Sequence, residues 1–309
     1  MTFHANGKLL LTAEYFVLDG ATALALPTKR GQSLTIASSL DASDTHLLWR
    51  SKGVDKAVWF EGTMNLDTLS FERFDGEKAI CAGLEKIFKT VHTLNPDFWA
   101  AQKGILAESQ LEFPRNWGLG SSSTLISLFA QWTKVDAFAL SDGTFGGSGY
   151  DIACAGASKP IFYMRKNGQP NFTTVDFNPP FAENLYFVFL NQKQNSREGI
   201  ARYREKAQNL PPQYFDDISM LTQAFYQAQT LETFEQLIRD HENKVASVVE
   251  LPRAKSLYFN DFWGEIKSLG AWGGDFVLAT SPRPFDATKQ YFEKKGFTTI
   301  LPYRSMIQL

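Results

Sequence analysis

Apolar positions recur along the chain with two periods. Short apolar runs bounded by Pro, Gly, Ser and Asp predict strands at residues 8–12, 24–26, 33–38 and 45–50, with the run 14–18 closing on a turn at Asp19-Gly20. Between residues 77 and 90, Ile80, Leu84, Ile87 and Phe88 fall at helical spacing. A strand around 104–113 leads through Pro114 and a Gly/Ser-rich turn into an apolar helix at 124–133. A second Gly-rich turn, 143–149, precedes Tyr150, and residues 160–164 read as a strand. The polar stretch 167–180, with three prolines, predicts a boundary between a domain at 1–175 and another at 176–309. Beyond it the apolar run 185–190 predicts a buried strand, followed by helices at 197–208, 214–229 and 231–249. The chain closes on a strand (276–280), a helix (286–295) and a strand (298–301). Strands and helices alternate without a regular βαβ period, which predicts α+β layers.

Composition narrows the function classes. With 31 Lys and Arg against 33 Asp and Glu, the net charge is -2, so no overall basic field exists to hold a nucleic acid or an anionic membrane. Affinity for anions must be local. Two cysteines without CxxC spacing and four scattered histidines argue against a disulfide framework and a Cys/His metal site. The first residues lack a basic start followed by a long apolar core, and no run of apolar residues is of membrane-spanning length, so the expectation is a cytoplasmic protein.

The strongest chemical signal is the run Pro114-Arg-Asn-Trp-Gly118-Leu119-Gly120-Ser121-Ser122-Ser123 opening an apolar helix. Glycines let the backbone turn tightly against a ligand, and the unpaired N–H groups and dipole of a helix start favour an anion. The serine hydroxyls can bond phosphate oxygens or complete the shell of a Mg²⁺ that keeps several waters. An N-capped helix with spare serines is the bland alternative; three serines after Gly-Leu-Gly, framed by Pro and an apolar helix, favour the phosphate reading. The run is not a Walker A motif, since no Gly-Lys-Ser/Thr follows, nor a dinucleotide fingerprint, since the third glycine is absent. Two further glycine turns carry acids. One is Gly146-Gly147-Ser148-Gly149-Tyr150-Asp151, the other Leu269-Gly270-Ala271-Trp272-Gly273-Gly274-Asp275. An Asp after such a turn is by itself an ordinary Asx-turn residue.

These motifs, in this order, resemble those of the GHMP kinases, a family that includes galactokinase, homoserine kinase, mevalonate kinase and phosphomevalonate kinase. The first run resembles the family's PxxxGLGSSA loop, which wraps the ATP phosphates. The resemblance implies that Gly118, Leu119, Gly120, Ser121, Ser122 and Ser123 bind ATP and that Ser122 assists Mg²⁺. Ser148-Gly149-Tyr150-Asp151 is similar to the SGxD segment, implying that Asp151 takes the acceptor's proton, with Ser148 and Gly149 at the substrate. The third turn looks like the closing GAGGGG motif, which puts Gly273 and Gly274 near the acceptor; its Asp275 is similar to a GGGD variant of phosphomevalonate kinases. Gly7-Lys8 through Glu14-Tyr15 resembles GKxxLxGEYxV, implying Lys8 near the transferred phosphate or the acceptor oxygen and Glu14 near the acceptor. Residues 190–198 leave a strand and enter a helix with Asn195 or Ser196 as N-cap; the segment resembles the TGxxxST[RK] stretch of phosphomevalonate kinases, placing the acceptor's anionic end at Ser196 and Arg197 beside Lys193. A capped helix with solvated charges fits those residues equally well.

The implied fold is α+β: a GHMP kinase fold with an N-terminal domain like the second domain of ribosomal protein S5 and a ferredoxin-like C-terminal domain. The implied activity is ATP- and Mg²⁺-dependent phosphorylation of a small acidic metabolite, mevalonate or phosphomevalonate first. A catalytically silent nucleotide- or metabolite-binding protein and an ATP-dependent decarboxylase of the same superfamily are the alternatives. The expected partner is that metabolite, with no nucleic acid and no membrane; a homodimer is left open. The sequence departs from the family where Trp117 and Trp272 replace small residues beside the loops, either narrowing the phosphate channel or lining the adenine pocket. Only 28 positions separate Ser123 from Asp151, and the insert between them lacks the family's Glu, a second Mg²⁺ ligand; Asp136 and Asp142 are its only acids.

Overall fold

The computed structural model describes residues 1–38, 45–193 and 196–309, and for Ser196 the backbone alone. They group into two compact units: Met1–Gly7, Arg30–Arg115 and Leu119–Gly156 form unit 1, while Lys8–Lys29, Asn116–Gly118 and Ala157–Leu309 form unit 2.

Strand β1 (Thr2–Leu10) pairs with β2 (Ala23–Ser38), and both strands run through the two units. Unit 1 continues with β3 (His46–Lys52), β4 (Val58–Asn65), β5 (Ser70–Asp75), α1 (Lys78–Leu94), α2 (Asp97–Ala100) and β6 (Ile105–Leu111). It closes with α3 (Ser121–Thr133), α4 (Ala137–Thr144) and α5 (Tyr150–Gly156). The sheet order here is β5-β4-β3-β6-β2, with β3 and β6 parallel and the other pairs antiparallel. The two strands expected at 24–26 and 33–38 form one strand of 16 residues. Pro27 falls between the residues paired with β7 (Ala23–Ala25) and those paired with β6 (Gln32–Ser38), and Gly31 is required by its packing. A Cβ at Gly31 would lie 2.1 Å from the Ala5 carbonyl oxygen, so glycine is what lets β1 lie against it. Alternate residues of β3 are buried, and Trp49 stacks on Phe129 of α3 with ring centroids 5.3 Å apart. Leu84, Ile87, Phe88 and Val91 from α1 complete that core, the face their spacing predicts.

Unit 2 adds β7 (Ile161–Lys166), which pairs with the first part of β2, and β8 (Gln169–Thr174), which pairs with β7. Next come β9 (Leu185–Phe189), α6 (Ser196–Lys206), α7 (Gln213–Gln227), α8 (Leu231–Val249), α9 (Ala254–Tyr258) and β10 (Ile266–Ser268). The chain ends in β11 (Phe276–Thr280), α10 (Phe285–Lys294), β12 (Ile300–Pro302) and α11 (Tyr303–Met306). The second sheet has the order β10-β11-β9-β12 and is antiparallel throughout. Strand, helices, strand, strand, helix, strand in that order is the split βαβ of a ferredoxin-like layer. Every residue of β9 and β11 is buried, as an uninterrupted apolar run requires when both faces are covered. Among the described residues no helix is long and apolar enough to cross a membrane.

Candidate functional site

The first glycine turn is built to end in an open helix start. Buried Phe113 anchors the chain after β6. Arg115 lies over the Trp59 ring at 4.1 Å and reaches Glu77 at 3.1 Å. Gly118 and Gly120 are both left-handed, with φ of 67° and 88°, a conformation that strains any other residue. Gly120 is the N-cap of α3 and offers no side chain to bond the N–H groups of the first turn. The three serines have different surroundings. Ser122 is exposed, Ser121 half-buried, and Ser123 buried with Oγ donating to the Gly120 carbonyl at 2.8 Å. Thr124 braces the turn, its hydroxyl donating to Gln32 Oε1 at 2.6 Å.

The second turn leads to Asp151. Asp136 caps α4 by accepting from Ala139 N at 2.7 Å, and Asp142 is exposed within α4. Gly146, Gly147 and Gly149 have φ of 67°, 116° and 86°. Ser148 and Gly149 are buried and Tyr150 opens α5. Asp151 is half-buried in the first turn of α5, where the helix dipole favours a carboxylate. Helices α3 and α5 pack together, Ile126 and Phe129 sharing a core with Ile152 and Ala155. Unit 1 thus brings the elements carrying the serines and Asp151 side by side.

In unit 2, Lys8 Nζ donates to the Gly118 carbonyl at 2.9 Å. The Asp275 carboxylate packs on the same glycine: a Cβ there would lie 2.2 Å from Oδ2. Asp275 is itself left-handed, with φ of 55°, and is held by main-chain bonds to Gln192 O and from Leu190 N, both 2.8 Å. Gln192 also donates to Gly273 O at 2.5 Å. Gly273 is exposed and Gly274 buried. Trp117 packs edge-on against Phe276 at 5.3 Å. Trp272 is 2% exposed, and its main-chain N–H donates to the Tyr15 hydroxyl at 2.9 Å. That hydroxyl also lies 2.7 Å from where a Cβ on Gly199 of α6 would stand. Arg197 and Lys193 are exposed; Asn195 and the Ser196 side chain lie outside the described residues.

Glu14 is wholly buried, at 0% exposure, and so are three partners that the sequence did not single out. Lys267 Nζ donates to Glu14 Oε1 at 2.5 Å and lies 3.7 Å from Glu242. His241 Nε2 stands 3.3 Å from Glu14 Oε2. Burial pushes the Glu14 carboxyl up to about 7 against the lowering effect of Lys267, raises that of Glu242, and drives the His241 imidazole well below its usual value. Among the described residues no group of three or more His, Cys, Asp or Glu is placed to hold a metal ion.

This fold is that of the GHMP kinases. The *Methanococcus jannaschii* mevalonate kinase superposes with a TM-score of 0.71 at 13% identity, over 100% of this chain and 98% of that one. A *Streptococcus pneumoniae* phosphomevalonate kinase in complex with phosphomevalonate and AMPPNP matches with a TM-score of 0.69 at 17% identity, over 96% and 97% of the two chains. *Lactococcus lactis* galactokinase complexed with galactose matches with a TM-score of 0.66 at 14% identity, over 100% and 95%. No protein-family model matches the chain, and no curated protein sequence does.

Proposed function

We propose that the chain is an ATP-dependent kinase of a small acidic metabolite, with mevalonate or phosphomevalonate the first candidates. The observation that carries this reading is the turn at 118–123. Two left-handed glycines deliver a 13-residue helix whose first turn has no side-chain cap and an exposed Ser122. Such a turn suits a triphosphate, whose oxygens accept from main-chain N–H groups and serine hydroxyls. The neighbours' crystallised ligands, AMPPNP and phosphomevalonate in one and galactose in another, belong to the same chemistry.

In this reading Gly118, Leu119, Gly120, Ser121 and Ser123 shape the phosphate cradle and Ser122 lends its hydroxyl to Mg²⁺. The ion would otherwise be held by phosphate oxygens and water, its usual preference. Bound Mg·ATP supplies an electrophilic phosphorus with its charge neutralised. Lys8, fixed on the Gly118 carbonyl, adds positive charge beside the cradle. Asp151 orients the acceptor hydroxyl and receives its proton. In unit 1 Ser148 and Gly149, and in unit 2 Gly273, Gly274, Ser196 and Arg197, are the acceptor-binding residues of this reading, Arg197 meeting an anionic group. Glu14, sealed from solvent, serves acceptor binding by shaping the segment it belongs to.

A second reading, nucleotide binding without turnover, has one observation in its favour. Of the two acids between the serines and Asp151, Asp136 is engaged as the cap of α4, and Asp142 is exposed within that helix. Acceptor-stimulated ADP release from Mg·ATP separates the two, tested with mevalonate, phosphomevalonate, homoserine and sugars. ATP binding without any ADP release favours the second.

A further inference from the structure

The contact between Glu14 and His241 has the distance of a hydrogen bond and no proton to make one. Ala13 N donates to His241 Nε2 at 3.0 Å, so Nε2 carries a lone pair and the ring proton resides on Nδ1. Nε2 nevertheless faces Glu14 Oε2 at 3.3 Å. With Glu14 ionised, two acceptors would oppose each other inside a fully buried site, and Oε2 would have no donor among the described residues. Protonating His241 does not help, since an Nε2–H would then point at the Ala13 N–H.

The neighbouring acid is served differently. Glu242 accepts from Ser268 N at 3.1 Å and from Ser268 Oγ at 3.2 Å. It is therefore bonded as a carboxylate on both oxygens. Among the described residues Lys267 is the one cation in contact with either acid, on Glu14 Oε1 at 2.5 Å and 3.7 Å from Glu242. Two ionised carboxylates against one ammonium and a neutral imidazole would leave a net negative charge out of water.

The geometry points to Glu14 being a neutral carboxylic acid in the folded protein at about pH 6 and below, donating from Oε2 to His241 Nε2 while Oε1 accepts from Lys267. The proton makes the group of four electrically neutral and gives Oε2 a partner in Nε2, whose single lone pair Ala13 N and Glu14 then share, while Nδ1–H has no acceptor among the described residues. The groups facing it are Lys267 and Ser268 from the β10 strand, His241 and Glu242 from α8, and the Phe225 ring edge-on to His241 from α7. Arg253 acts by its charge on Glu242, and Tyr15 is next along the chain. Burial acts in the same direction on Glu14.

The acid is a positioning residue. Its neighbours Ala13 and Tyr15 are both left-handed, with φ of 62° and 66°, a costly conformation for residues with a Cβ. The bonds of Glu14 to Lys267 and His241 hold this segment, and Tyr15 in turn takes the Trp272 N–H of the third glycine turn. The inference concerns the state of one side chain and stands apart from whether the chain transfers phosphate.

Glu14→Gln is the discriminating variant, because an amide reproduces a neutral acid: its oxygen accepts from Lys267 and its NH₂ donates to His241. The variant is expected to melt at or above the parent temperature at about pH 5 and about pH 7. A loss on the order of 6–10 °C at both would mean that an ionised partner of Lys267 had been removed, overturning the inference. Infrared spectra of the parent labelled with ¹³C-carboxyl glutamate give a second readout that needs no variant. A protonated-carboxyl C=O band at about pH 6 is expected, absent from Glu14→Gln. No such band in the parent, or a band that survives in Glu14→Gln, would place the proton elsewhere and refute the assignment.

Discussion

The Asp275 carboxylate occupies the space that a side chain on Gly118 would need, Oδ2 lying 2.2 Å from the Cβ position. The last residue of the closing glycine turn thus packs on Gly118, whose carbonyl also receives Lys8 Nζ at 2.9 Å.

Gly118→Ala should therefore fail for two separable reasons. Its φ of 67° strains any L-residue by about 1–2 kcal/mol, and the new methyl meets the carboxylate. Thermal melts should fall and the shift on adding ATP should shrink. The double variant Gly118→Ala/Asp275→Gly should recover more of the melting loss than Asp275→Gly alone gains over the parent, since the single glycine variant relieves only the left-handed φ of 55° at 275 and the double also relieves the collision. A single variant as stable and as responsive to ATP as the parent contradicts the packing described.

Ser122 and Ser123 should behave oppositely. Ser122 is exposed, so Ser122→Ala should leave the melting temperature unchanged while weakening Mg·ATP by about 1.5–3 kcal/mol, the worth of a hydrogen bond to a charged oxygen. Ser123→Ala loses the bond to the Gly120 carbonyl and should cost about 1 kcal/mol of stability. Calorimetric titration and thermal melts of the two variants check the contrast.

A pH dependence follows from Glu14. Its carboxyl titrates near 7 when folded and at 4.5 in the reference state. Between those values the folded chain binds the extra proton, so this stabilisation is complete below about pH 4.5 and is lost as pH rises through about 7. Glu14→Gln lacks the group. Relative to the parent the variant should gain stability across that window by about 3 kcal/mol in all. Denaturant unfolding at a series of pH values measures it, and a difference that stays flat contradicts it.

The reach of sequence reading differs between these sites for physical reasons. Helix α8 and strand β11 carry their periodicity so plainly that residues 231–249 and 276–280 coincide with the observed elements. Strands β4 and β5 were not expected. β5 is largely exposed and carries Glu72 and Arg73, so no apolar alternation marks it. The three glycine turns were legible because left-handed backbone leaves a sequence trace, Gly, at the residues that need it. The buried group around Glu14 was not. Its members, at 14, 241, 242 and 267, are charged or titratable types that usually face water, and only long-range packing joins them. The same packing puts Glu14 out of contact with solvent, which its motif alone does not reveal.

For the acceptor side, Arg197→Ala should raise the acceptor KM well above any change in the KM for ATP. The exposed guanidinium at the first turn of α6 is proposed to meet the acceptor's anionic end. Steady-state kinetics with phosphomevalonate varied at saturating ATP provide the check; equal effects on both substrates, or a preference for neutral sugars, would remove this acceptor assignment.

The central claim is that this fold transfers phosphate with Asp151 as the base. Mass spectrometry of a small acidic acceptor incubated with Mg·ATP and the protein, beside Asp151→Asn, tests it most directly. The account predicts acceptor gaining one phosphoryl group with equimolar ADP, and a loss of about 10²–10⁴-fold in the variant with ATP binding intact. A parent that binds ATP yet phosphorylates none of mevalonate, phosphomevalonate, homoserine or the sugars would contradict the claim of transfer. An Asn variant as active as the parent would contradict the base.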